Sequence, residues 1–259
     1  MLIDFRELLS GSGNEISYPA NIDMTSLDDG VNKYPVIRKE PFVIQAYKTG
    51  KDKVQIQCEG SVTLSIPCDR CLEPVEINID FNVDDVIETA NHFRCIDLLI
   101  DKAKTALSEK LIKELHFILK TGTSDARKDW FAVGDYKKLP NEVGGRDTAL
   151  PEEVSEQMRA LLAKYNAKKS KTVKDILDFH VCFERIHPFQ DGNGRVGRLI
   201  MFKECLKYNI VPFIIEDNLK MFYYRGLKEW GKENGFLMDT CLAAQDRYKA
   251  YLDYFRIAY

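Results

Sequence analysis

The sequence predicts a mainly α protein preceded by a small β-rich module, and three observations point that way. Up to residue 81 apolar and polar residues alternate with period two. From Asn82 onward apolar residues recur at three- and four-residue spacing, the signature of a helix with one buried face. Ser, Thr, Pro and Gly then stand where the helices in that second part must start and stop. The organisation expected is therefore a module over 1–81 and a helical domain over 82–259.

In chain order, 42–47 is a short apolar-rich run and 49–53, Thr-Gly-Lys-Asp-Lys, is a turn. Val54, Ile56 and Cys58 alternate with polar residues, as do Val62, Leu64 and Ile66, then Val75, Ile77, Ile79 and Phe81. Half-buried strands in an antiparallel meander are expected. Val83, Val86, Ile87, Ala90 and 96–99 give a first helix near 83–102. Ser108 can cap a second, whose face carries Leu111, Ile112, Leu115, Ile118 and Leu119, with Gly122 ending it. An irregular segment over 123–149 follows. Pro151 suits the first turn of a third helix bearing Val154, Met158, Leu161, Leu162 and Tyr165. Thr172 opens a fourth with Val173, Ile176, Leu177, His180 and Phe183, and further helices fall near 195–208, 217–231 and 236–255.

Composition narrows the functional classes. With 45% hydrophobic and 30% charged residues, 259 residues can bury a sizeable core and keep a hydrated surface. No run of about 18 apolar residues occurs, so no membrane span is expected. Residues 1–6 lack the basic start and apolar run of a secretion signal. Seven cysteines, an odd and scattered set, favour a reducing cytoplasm over a disulfide framework. The net charge of −3 is uneven. Residues 1–81 hold eight Lys/Arg against thirteen Asp/Glu, leaving 29 against 27 in the remainder. Neither part has the basic stripe of a general nucleic-acid binder.

The chemistry concentrates in 187–198, His-Pro-Phe-Gln-Asp-Gly-Asn-Gly-Arg-Val-Gly-Arg, read as a loop entering a helix. Gly192 and Gly194 around Asn193 permit a turn that aims several N–H groups at one anion, backed by the positive end of a helix. Arg195 and Arg198, three apart, project from one side and can hold a diphosphate. Asp191 offers an oxygen to Mg²⁺, which binds through a carboxylate or two plus phosphates. At the mouth, His187 can take a hydroxyl proton near neutral pH.

This window resembles the Fic motif, His-Pro-Phe-x-Asp/Glu-Gly-Asn-Gly-Arg-x-x-Arg, at every defined position. The resemblance runs over roughly 82–259, with Ile112-Lys113-Glu114-Leu115-His116 similar to the family's second-helix segment and Phe183-Glu184-Arg185-Ile186 leading in. It implies a Fic-type helical domain that moves AMP from ATP onto a Ser, Thr or Tyr hydroxyl of a protein. His187 would be general base, Phe189 a buried anchor and Asp191 the Mg²⁺ ligand. Gly192, Asn193 and Gly194 would line the anion hole, and Arg195 and Arg198 would hold the distal phosphates. The family's β-hairpin flap, which clamps a target backbone, would lie within 134–147, including Gly134, Tyr136, Lys137, Lys138, Asn141 and Val143. Family precedent also allows another nucleotide, phosphocholine or removal of AMP. A binding protein of ribosomal RNA or a ribosome factor, with an idle Fic fold, is the rival from another class; homodimerisation stays open.

Two further features stand outside the motif. Many Fic proteins carry an inhibitory Ser/Thr-x-x-x-Glu-Gly/Asn helix, and no segment matches it. Glu59-Gly60 has Gln55 at the Ser/Thr place, and Glu88-Thr89 has Asp84 there. Residues 1–81, with Cys68-Asp69-Arg70-Cys71-Leu72-Glu73-Pro74, resemble the N-terminal half of a bacterial family linked to accumulation of large-subunit ribosomal RNA. The C-x-x-C could be half a zinc site, a redox pair or two small core residues, and the last is preferred. His92, His116 and His180 read as packing or capping residues. Cys95, Cys182, Cys205 and Cys241 read as small hydrophobes. Tyr223 and Tyr224 read as core, with an adenine pocket as the rival.

Overall fold

The computed structural model describes residues 6, 8, 13–28, 32–50, 53–68 and 71–259, and seven strands among them precede the helix that starts at Val83. They are β1 (Glu15–Ala20), β2 (Ser26–Asp28), β3 (Lys33–Lys39), β4 (Phe42–Gly50), β5 (Lys53–Gln57), β6 (Glu59–Pro67) and β7 (Pro74–Asn82). All pairings are antiparallel, but the strands form two sheets, β1-β4-β5 and β2-β3-β6-β7, rather than one meander. The chain changes sheet at Cys58, between the β4–β5 and β6–β7 hairpins. Alternation fixes which face a side chain takes, not which strand lies opposite, so this switch left no mark in the pattern. Val62, Leu64 and Ile66 sit opposite Ile79, Ile77 and Val75, with Leu64 buried and the three on β7 exposed. Of the expected features, the start 1–5, the turn residues Lys51 and Asp52, and Asp69 and Arg70 of the C-x-x-C segment lie outside the described residues.

The helices are α1 (Val83–Asp101), α2 (Glu109–Lys120), α3 (Pro151–Ala167), α4 (Val173–Ile186), α5 (Asn193–Lys207), α6 (Lys220–Glu229) and α7 (Gly235–Tyr254). Their ends follow the capping chemistry. The Ser108 hydroxyl accepts from the Leu111 N–H at 3.2 Å, and Thr172 and Asp175 cap α4 reciprocally. Pro151 takes the first position of α3.

The chain divides into two compact units, Met1–Thr89 and Ala90–Tyr259, with the division inside α1. In the second unit Leu111, Leu115, Leu119, Met158, Phe183, Phe189 and Ile200 belong to one buried cluster. Leu177, Met201, Tyr223, Trp230 and Leu237 belong to another. Both clusters draw on α4 and α5, so the loop joining these helices is held from both sides. No helix among the described residues is long and apolar enough to cross a membrane.

Candidate active site

The loop between α4 and α5 begins where His187 breaks the helix. Its backbone is left-handed, φ 53°, and its N–H still donates to the Phe183 carbonyl at 2.9 Å. A non-glycine residue in this conformation turns the chain sharply, and its imidazole is half-buried. Nδ1 lies 3.4 Å from the Glu184 carbonyl; assigning its proton there leaves Nε2 as the basic atom. Burial lowers the pKa of His187 and the Lys137 charge adds to that, against the Glu184 contact and Asp191. The ring is therefore neutral near pH 7.

Phe189 is fully buried and stacks on His116, ring centroids 4.0 Å apart and planes 9° apart. Asn193 braces the same turn. Its Oδ1 accepts from the Phe189 N–H and its Nδ2 donates to the Phe189 carbonyl, both at 2.8 Å. The Asn193 side chain is thus spent on the loop, and its contribution to an anion is limited to the main chain. Gly192 precedes α5 at φ 80°, a conformation that favours glycine, and frees the first N–H groups of the helix. At Gly197 a methyl group would lie 2.7 Å from Glu184 Oε1 and 2.8 Å from the His180 ring, so only glycine lets α4 and α5 approach this closely.

Charge surrounds this turn. Asp191 pairs with Lys120 at 2.7 Å and with Arg195 at 3.2 Å. Burial alone would raise its pKa, but the Lys120 bond and charge outweigh that and hold it below its ordinary value. Lys120, buried at the end of α2, also reaches Asp125 at 2.9 Å. Oxygens of Asp125 and Asp191 lie within 4.8 Å of one another beside the N-terminus of α5, hard donors of the kind Mg²⁺ takes together with phosphates. Arg198 lies close to the Tyr223 hydroxyl, and that hydroxyl contacts His180 Nε2 at 2.5 Å. Burial pushes the neighbouring Glu184 carboxyl up to about 7 against the pull of Arg198.

Within 134–147 only part forms a hairpin: β8 (Glu142–Val143) and β9 (Arg146–Asp147), turned by Gly144 and Gly145 at φ 58° and 72°. Val143 is exposed on it. Gly134, φ 74°, instead donates its N–H to His116 Nδ1 at 3.0 Å. Tyr136 and Lys137 precede the hairpin and are 8% and 3% exposed, so their side chains face the interior rather than a docked segment. The Asn141 amide donates to the Phe189 carbonyl at 3.1 Å. A cavity of about 690 Å³ lies between the hairpin and α4 and α6, lined by Val143, Arg146, Glu184, Arg185, Tyr224 and Leu227. It is large enough for a mononucleotide. Tyr224 lines it, whereas Tyr223 is core.

Lys120 and Asp125 escaped the sequence reading, and Glu184 entered it only as part of the segment leading into the motif. Lys120 follows Leu119 on the apolar face of α2, one step of the helix beyond His116, and a cation on that face was the available signal. Nothing in the sequence marks Asp125.

With this geometry in hand, comparison with known proteins is decisive on one point. Residues 106–205 match the Fic/DOC family. That stretch, which holds α2, α4 and the loop into α5, is Fic-like. A probable protein adenylyltransferase of Aquifex aeolicus is 56% identical over 36 residues, 14% of this chain and 11% of that protein. The protein adenylyltransferase Fic of Aedes aegypti is 31% identical over 94 residues, 35% and 19% respectively. The chain therefore spans a small part of the curated relatives it matches. The crystal structure of a Fic domain containing signaling protein from Bacteroides thetaiotaomicron is 27% identical, with TM-score 0.52 over 67% of this chain and 68% of that one. A Fic family protein from Desulfovibrio desulfuricans, 23% identical with TM-score 0.53 over 68% and 56%, shares the fold.

Proposed function

We propose that this Fic domain transfers AMP from ATP to a Ser, Thr or Tyr hydroxyl of a protein. The observation that carries the reading is one short loop that starts at His187, whose pKa is lowered, and ends at the glycine-started N-terminus of α5, with Arg195 and Arg198 in the first turns of that helix. In this reading His187 Nε2 accepts the proton of the target hydroxyl. The freed oxygen attacks the α-phosphorus of ATP, the bond to the bridging oxygen breaks, and diphosphate leaves. The first N–H groups of α5 receive charge developing on the phosphate, and Arg195 and Arg198 bind the leaving group. Asp191 would hold Mg²⁺, with Asp125 close by, and the ion would neutralise phosphate charge when bound. Phosphoryl-type transfer asks mainly for position and charge neutralisation, which these residues offer. The hairpin, with its exposed Val143, would pair with an extended target segment, and the cavity beside it would take the nucleoside.

Incubation with labelled ATP and Mg²⁺, followed by mass analysis for an AMP adduct, tests this. Labelled protein is the expected result; ATP hydrolysis without any adduct would overturn it. Asp191→Ala should remove the Mg²⁺ dependence with most of the activity, and metal-stimulated transfer by that variant would take Asp191 out of the site.

A further inference from the structure

Lys137 is nearly excluded from solvent, and the partners of its ammonium are uncharged. Its Nζ donates to Asn141 Oδ1 at 2.7 Å, Thr148 Oγ1 at 2.6 Å and the Ile186 carbonyl at 3.5 Å. Asn141 immediately precedes β8, Thr148 immediately follows β9, and Ile186 immediately precedes His187. One ammonium therefore joins both feet of the hairpin to the last turn of α4. The main chain adds a second tie, since the Lys137 N–H donates to the Pro188 carbonyl at 2.9 Å. A third comes from the Leu139 N–H, which donates to Gln190 Oε1 at 3.3 Å.

Burying an ammonium without a carboxylate is costly, and burial accordingly brings the Lys137 pKa down to about 8. A neutral side chain would avoid that cost but leave buried acceptors unmatched. The planar, longer guanidinium of arginine does not match three acceptors spread around one point.

We propose that Lys137 is a positioning residue: through Asn141, Thr148 and Ile186 it locks the hairpin to the catalytic loop and sets the geometry of His187 against whatever the hairpin holds. The transfer it would assist rests on the proposed function above; the locking itself does not.

The test compares Lys137→Met and Thr148→Val in the full chain, by hydrogen exchange of hairpin amides 142–147, NMR titration of the His187 ring, ATP affinity and self-modification rate. Loss of one such hydrogen bond, about 1–1.5 kcal/mol, corresponds to roughly tenfold faster hairpin exchange, expected in both variants. Self-modification should fall about tenfold or more, and by more than ATP affinity does, because the phosphate contacts are untouched while the hairpin that lines the nucleoside cavity is loosened. Lys137→Met should also raise the His187 pKa by removing a nearby positive charge, whereas Thr148→Val should leave it in place. Unchanged hairpin exchange in the variants would overturn the proposal, as would parallel loss of ATP affinity, self-modification and melting temperature. If Lys137→Met does not fold, Thr148→Val is decided by the exchange, affinity and self-modification criteria alone. A wild-type chain that modifies nothing contradicts the transfer reading, yet leaves the exchange result free to judge the lock.

Discussion

His116 shows how one buried ring can tie function to pH. It lies flat on Phe189, and its Nδ1 accepts from the Gly134 N–H, so the folded state requires the neutral form. Burial brings its pKa from 6.5 down to about 4, with Lys120 and Arg195 also lowering it and Asp191 opposing them. A folded pKa below the unfolded one means that stability is whole above pH 6.5 and drains away as pH falls through about 4. The loss from this one ring is on the order of 3 kcal/mol. Melting temperatures of the wild type and His116→Phe should converge between pH 6.5 and 4, because phenylalanine keeps the stack and cannot protonate. Parallel curves over that range would show that His116 is not the group responsible. Glu184 acts with the opposite sign. Its folded pKa of about 7 exceeds the ordinary 4.5, so its contribution is complete below 4.5 and is lost as pH rises through 7.

Among the elements, the α4–loop–α5 unit was the most legible in sequence, because its chemistry is local. Thr172 and Asp175 mark the start of α4, and Gly192 and Asn193 mark the start of α5, within a few residues of the groups they serve. The hairpin was less legible. Two residues per strand give too short a pattern to alternate, and only Gly144-Gly145 announces the turn. The burial of Lys137 was hidden for a related reason. A lysine is ordinarily solvated, and the acceptors that bury it are four, eleven and forty-nine residues away. The sheet switch at Cys58 was equally hidden. For the loop element, Asn193→Ala should cost on the order of 2–3 kcal/mol, since it breaks two buried 2.8 Å bonds and strands their Phe189 partners. It should weaken ATP binding as well, because those bonds hold the turn on which the phosphates would rest. An Asn193→Ala protein with wild-type stability and ATP affinity would show that the loop keeps its shape without the amide.

At the scale of the whole molecule, the Fic motif lies entirely in the unit Ala90–Tyr259, as do both large apolar clusters. A chain shortened to residues 82–259, which keeps α1 whole, should therefore unfold cooperatively and bind ATP as the full chain does. Failure to fold would mean that the β-rich unit supplies something the helical unit needs. The central claim is that His187 acts as a base in AMP transfer without itself holding the nucleotide. The direct measurement is transfer of labelled AMP by His187→Ala and by the wild type, with ATP affinity determined for both. Transfer should fall by about 10²–10⁴-fold, the usual worth of a positioned base, with ATP affinity nearly unchanged. Equal loss of affinity and rate, or transfer that survives the substitution, would contradict the account.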